Sequence, residues 1–182
     1  VRGSTVGDTF LISHASSFYG GAGNDAMSDG TDGDGVHGLL YGDGGSDTLS
    51  AGVDGGQLFG GADADTLIAD TVATAKISMT GGAGADRFDI GANYNGSGGA
   101  LADGTVAATT EIKDFVDGTD LLLFHAFGDV ATAQDWYDLL VASNTIESVG
   151  DELQIGTDAG GQTLIVGLTL ATFSVDDILV IA

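Results

Sequence analysis

The 182-residue sequence contains no cysteine and no proline, and its basic side chains are only Arg2, Lys76, Arg87 and Lys113. Without cysteine, neither disulfides nor thiolate chemistry can hold the chain together or do its work. Four basic residues stand against 27 acidic ones, for a formal net charge of -23. A surface of that sign repels phosphate backbones and anionic headgroups, which argues against nucleic-acid binding and membrane docking. No apolar run reaches the length needed to span a bilayer, so no membrane insertion is expected. Glutamate is scarce too: Glu111, Glu147 and Glu152 are the only ones, and all other acids are aspartates, which favour turns and ligand roles over helix surfaces. Catalytic signatures are missing. There is no His-Glu-x-x-His and no Gly-x-Ser-x-Gly, and His14, His37 and His125 are scattered without partners at ligand spacing. The chain is therefore not read as an enzyme. It opens at Val1 with neither an initiator methionine nor a charged-then-apolar leader, so it is expected to be part of a longer polypeptide.

What is abundant is glycine, 32 residues of it, and an apolar content of 43% that excludes a wholly disordered tail. Self-repulsion at this net charge opposes a compact state unless cations are bound. The glycines and aspartates fall into one recurring pattern: Gly20-Gly21-Ala22-Gly23-Asn24-Asp25, Gly42-Asp43-Gly44-Gly45-Ser46-Asp47, Gly60-Gly61-Ala62-Asp63-Ala64-Asp65 and Gly81-Gly82-Ala83-Gly84-Ala85-Asp86. Each copy carries an apolar residue two positions after its aspartate: Met27, Leu49, Leu67, Phe88. A loop that wraps a bare cation with its own carbonyls must adopt positive φ at several residues, which glycine does cheaply, and the aspartate adds the hard charged oxygen that calcium prefers.

Gly3 to Asp8 reads as a degenerate first turn, and the aspartate-to-aspartate steps from Asp8 are 17, 22, 18 and 21 residues. These cluster near twice nine, which puts the good turns on one edge and poorer turns (13–17, 29–35, 51–56, 70–75) on the other. Two apolar ladders follow, Phe10, Met27, Leu49, Leu67, Phe88 and Phe18, Leu40, Leu58, Met79. The segment Asp29 to Gly35 looks superficially like an EF-hand loop, but it fails at required positions and lacks the closing glutamate.

The four copies resemble the glycine-aspartate nonapeptide of the RTX (repeats-in-toxin) family. Thr110 to Phe124 is similar to the segment after the repeats in serralysin-type proteases and alginate epimerase modules. Asp114 and Asp120 match that segment, whereas Leu121 to Phe124 is wholly apolar where the family carries an acid. Phe173 to Ile181, with Asp176-Asp177 before an apolar ending, resembles the carboxy-terminal end of proteins exported by type I secretion.

The resemblance implies an all-β chain: a right-handed parallel β-roll over 1–90, a loop over 91–110, and a sandwich-like cap with one short helix and the secretion-signal region over 111–182. It also implies calcium ions, about three or more, between successive turns. Carried over, one ion takes Gly21, Gly23 and Asp25 with Gly42, Gly44 and Asp47. The next takes Asp43, Gly45 and Asp47 with Gly60, Ala62 and Asp65, and the third takes Gly61, Asp63 and Asp65 with Gly81, Ala83 and Asp86. The flanking Gly20, Ala22, Gly82, Gly84, Asp114 and Asp120 belong to the same candidate set. Thr132 to Asp135 has capping-box spacing with Asp in place of Glu, so a helix is expected to about Ala142; strands are expected at 145–149, 153–157 and 162–166, the last two as a hairpin.

Three functions compete on this reading. The first is a secreted, calcium-triggered folding module that works with the type I secretion machinery. The second is a structural or adhesive cell-surface block that self-associates. The third is the carboxy-terminal part of a protease, lipase or epimerase.

Overall fold

The computed structural model describes residues 1–12, 17–30, 37–69, 75–90, 109–125, 129–142, 146–156 and 162–181. The repeat pattern dictates the architecture, because an aspartate-ended turn followed by a single inward apolar residue leaves room only for short strands on either side. Strands alternate between two sheets. β1 (Thr9–Ile12), after the degenerate first turn, and β3 (Ala26–Asp29), β5 (Thr48–Ser50), β7 (Thr66–Ile68) and β9 (Arg87–Asp89), after the good turns, pair in parallel as neighbours in one sheet. β2 (Ser17–Ala22), β4 (Gly38–Gly44), β6 (Gly56–Ala62) and β8 (Ile77–Ala83) lead into those turns and pair in parallel in the other. Each coil thus gives one strand to each sheet.

Register follows the two apolar ladders. Phe10 aligns with Met27, then Leu49, Leu67 and Phe88, and the column continues through Leu122 to Ile178. Phe18 aligns with Leu40, Leu58 and Met79, continuing through Ile112 to Ile165. Apart from half-buried Phe10 and Phe18 these side chains are buried, and together they form the core between the sheets. Each fully buried Leu, Met or Phe of this kind contributes roughly 1.5–3 kcal/mol, which stabilises the stack in the direction perpendicular to the strands. On the outer face of the second sheet Tyr19, Tyr41 and Phe59 stack ring on ring at 4.7 and 4.6 Å, and the Arg2 guanidinium lies 5.2 Å from the Tyr19 ring centre.

The expected sandwich-like cap is built by extending these same two sheets. β10 (Thr109–Ile112) pairs in parallel with β8, and β11 (Leu121–His125) with β9. β12 (Ile146–Val149), β13 (Glu152–Gly156) and β14 (Gln162–Val166) form an antiparallel meander that joins β10 through a parallel β14. β15 (Ile178–Ile181) closes the first sheet against β11. Helix α1 (Ala133–Ala142) begins at the predicted capping box, with the Asp135 amide donating to Thr132 Oγ1 at 3.2 Å and the Thr132 amide to Asp135 Oδ2 at 2.9 Å. Its buried Trp136 packs on Phe124 with ring centres 4.7 Å apart. No helix among the described residues is long and apolar enough to cross a membrane.

Candidate metal centre

The glycine-aspartate turns stack along one edge of the coils, and a single hydrogen-bond motif links them. Each turn's aspartate donates its backbone amide to Oδ1 of the aspartate in the next coil. Asp8 donates to Asp25 at 2.7 Å, Asp25 to Asp47 at 2.7 Å, Asp47 to Asp65 at 2.8 Å, Asp65 to Asp86 at 2.9 Å and Asp86 to Asp120 at 2.9 Å. The aspartates that the sequence marks are therefore one continuous row, and Asp25, Asp47, Asp65 and Asp86 are buried within it.

The second oxygen is the informative one. Oδ2 of Asp25, Asp47 and Asp65 is buried and accepts no hydrogen bond. None of the ion pairs among the described residues involves these three: Lys76 and Lys113 both pair with Glu111, and His125 pairs with Asp89 at 3.0 Å. Each orphan oxygen lies against the first glycine of its own turn. A Cβ on Gly42 would collide with both Asp47 Oδ2 and the Gly60 carbonyl oxygen, and one on Gly60 with both Asp65 Oδ2 and the Gly81 carbonyl oxygen. So the carboxylate oxygen of one turn and the leading carbonyl of the next converge on the gap between coils, and that convergence is why a side chain is excluded there. An uncompensated buried charge is expensive, so an arrangement of this kind calls for a cation.

At the two ends of the row the second oxygen is satisfied by the protein. Asp8 Oδ2 accepts from the Ser4 amide at 2.6 Å, and Asp120 Oδ2 from the Val116 amide at 2.8 Å. Asp114 accepts from the Gly81 and Gly82 amides, one per oxygen, both at 2.9 Å. Asp114 and Asp120, grouped with the ligands on resemblance, therefore stand at this same edge as the caps of its last turn. Sequence reasoning missed the amide-to-carboxylate row itself. Its one signal was Asp8, which keeps the step of the repeat after the glycines have gone, whereas Asp120 stands 34 residues past Asp86.

The oxygens that crowd the turn glycines at each gap are carboxylate and backbone carbonyl oxygens, hard donors of the kind that suits calcium better than a softer metal. No group of three or more His, Asp or Glu side chains gathers at metal-holding distance among the described residues. The opposite-edge loop over 31–36 lies outside the described residues; at its start Asp29 Oδ2 accepts from the Gly38 amide at 2.9 Å.

Two of the candidate positions carry strain. Asp43 and Asp63 are the only non-glycine residues with positive φ among those described, at 70° and 76°. Positive φ outside glycine costs on the order of 1–3 kcal/mol and marks functional sites.

With no cation bound, burial pushes the Asp47 carboxyl up to about 6 against the pull of the Asp25 amide, and the charges of Asp25, Asp43 and Asp63 push the same way. Burial likewise raises Asp65 to about 7, helped by Asp47, Asp86 and Asp63. An unfolded aspartate titrates near 3.8, so between about pH 4 and 7 the folded cation-free chain holds protons that the unfolded chain has lost. Its stability must then fall as pH rises through that window and level off above it. We expect the chelator-treated protein to show more β-structure by circular dichroism at pH 5 than at pH 8; the reverse order would contradict the burial of these carboxyls.

No protein-family model matches this chain, and no curated protein matches it. Among solved structures it is similar to the extracellular lipase LipA from Serratia marcescens, at 12% identity and a TM-score of 0.24, with 99% of this chain and 39% of that one covered. The chain thus spans well under half the length of that protein, and the site described above rests on its own geometry.

Proposed function

We propose that this chain is a calcium-binding module of the RTX type, exported unfolded and folding outside the cell when calcium fills the gaps between its turns. The observation that carries this reading is the row of buried, unpartnered Oδ2 atoms of Asp25, Asp47 and Asp65, each beside the glycine that opens its own turn. Calcium, when bound, supplies the positive charge that these carboxylates lack. The residues do the rest. Asp47 and Asp65 each lie between two gaps, the turn glycines keep the backbone close enough for carbonyls to reach inward, and the amide row fixes each carboxylate by its other oxygen.

Export by the type I machinery is consistent with the far end of the chain. Asp177 is fully buried, closing a capping box with Ser174, and β15 after it is paired along β11. In the folded chain that segment is built into the edge of the first sheet, so its use as a signal fits a chain still unfolded, held so by a trigger that the cytosol withholds. Calcium fits, since extracellular modules bind it at roughly 10⁻⁴–10⁻³ M, far above resting cytosolic levels.

Binding stoichiometry tests the reading. Equilibrium dialysis is expected to find about three calcium ions per chain, one for each gap between the turns ending at Asp25, Asp47, Asp65 and Asp86, with magnesium a poor competitor because it resists dehydration. No calcium uptake, or equal uptake of magnesium, would reject it.

A further inference from the structure

We infer that the side chains of Asp43 and Asp63 form an outer pair of carboxylates that strengthens the central gap, between the Asp47 and Asp65 turns. The inference rests on the proposed calcium-binding reading and adds to it a role for two side chains that ligand counting leaves out.

Both residues break a column of glycine. Asp43 aligns with Gly21 in the coil before and Gly61 in the coil after, and Gly61 aligns in turn with Gly82; these glycines have φ of 107°, 120° and 102°. Asp63 holds the place in its turn that Gly23, Gly45 and Gly84 hold in theirs, at φ of 109°, 111° and 149°. The backbone at both aspartates has moved to 70° and 76°, into the left-handed basin that aspartate and asparagine tolerate better than other side chains. A strained position that glycine would fill without cost has twice been given a carboxylate, on consecutive turns. Those two turns flank the same gap.

The gap itself has an independent mark of a ligand in the buried, unpartnered Oδ2 atoms of Asp47 and Asp65, 2% and 0% exposed. Asp43 and Asp63 are exposed at the edge outside it, close enough for both to repel the Asp47 carboxylate and for Asp63 to repel that of Asp65. Charge counting gives the reason. Three dications in a row carry six positive charges, and Asp25, Asp47, Asp65 and Asp86 supply four negative ones. The central ion has a dication on either side and suffers most from this shortfall. The carboxylates of Asp43 and Asp63 supply the missing two charges beside it. The remaining carboxylates of this edge stand at its ends with oxygens on backbone amides, Asp8 on Ser4, Asp120 on Asp86 and Val116, and Asp114 on Gly81 and Gly82, so they serve the end turns and not the central gap.

The test is calcium binding by calorimetry to the full chain carrying Asp43→Asn and Asp63→Asn together, with Asp43→Gly and Asp63→Gly as a second double variant. Asparagine keeps the size and the tolerance of positive φ and removes only the charge; glycine also removes the strain. The expected result is an affinity for the central ion lower by on the order of tenfold in the asparagine variant, with wild-type β-structure at saturating calcium, and tighter binding in the glycine variant than in the asparagine one because the backbone strain is gone. Because the outer carboxylates are exposed, the difference between wild type and the asparagine variant is also expected to narrow at about 1 M salt, where screening acts within about 3 Å. Unchanged or tighter binding in the asparagine variant would overturn this inference while leaving the calcium site standing. Failure of the wild-type protein to bind calcium would overturn both.

Discussion

Replacing Asp65 by asparagine is expected to weaken calcium binding by on the order of tenfold or more, and more than the same change at Asp25. Asp65 lies between two gaps, with its Oδ1 accepting from the Asp47 amide at 2.8 Å and its own amide donating to Asp86 at 2.9 Å. One charge lost there is lost from two sites at once. Asp25 borders only one such gap, because on its other side Asp8 turns its Oδ2 to the Ser4 amide. Asparagine keeps an acceptor for the Asp47 amide, so the change isolates charge from hydrogen bonding. The same substitution is expected to act in the opposite direction without calcium. Burial already holds the Asp65 carboxyl at about 7, and a neutral amide relieves the repulsion from Asp47, Asp86 and Asp63 at neutral pH. Calorimetry with calcium and denaturant melts in chelator should therefore move apart: weaker binding, yet a less unstable cation-free chain. Asp65→Ala is expected to lose the binding and, because it also drops the acceptor for a buried amide, to gain less of that relief. Equal losses at Asp25 and Asp65 would mean that the gaps are not shared in the way the row of aspartates implies.

Much of this arrangement was legible in the residues because stacked coils must place like positions together. An apolar residue two places after each aspartate was enough to set the register from Phe10 to Phe88, and the ladder through Leu40, Leu58 and Met79 set the other sheet. The capping box at Thr132 and the hairpin strands were likewise local signals. The join beyond the repeats was not legible. β10 sits between β8 and β14, and nothing in the apolar run from Leu121 to Phe124 says that it continues the column of Phe88. That pairing depends on contacts far apart in sequence, which no local pattern carries. The caps were hidden for a related reason. Asp114 and Asp120 have the chemistry of ligands, and only the placement of the Gly81, Gly82, Asp86 and Val116 amides shows their oxygens turned to the backbone.

The largest effect expected is the loss of the fold when calcium is removed at neutral pH. The unpartnered Oδ2 atoms of the turn aspartates Asp25, Asp47 and Asp65, a net charge of -23 and turns rich in glycine all weigh against the cation-free coil. Ordering each residue costs roughly 1–2 kcal/mol, and the opposing apolar ladders are one residue wide per strand in β5, β7 and β9. Because the gaps exist only once neighbouring turns are stacked, a cation that occupies them stabilises the folded chain alone, so binding and folding are one process. The measurement that tests this most directly is a calcium titration of the chelator-treated chain at pH 8, following far-ultraviolet circular dichroism and hydrodynamic radius together. The account predicts a cooperative gain of β-structure with a simultaneous fall in radius, with calcium effective where magnesium at the same concentration is not. A chain already compact and β-rich in excess chelator would contradict it.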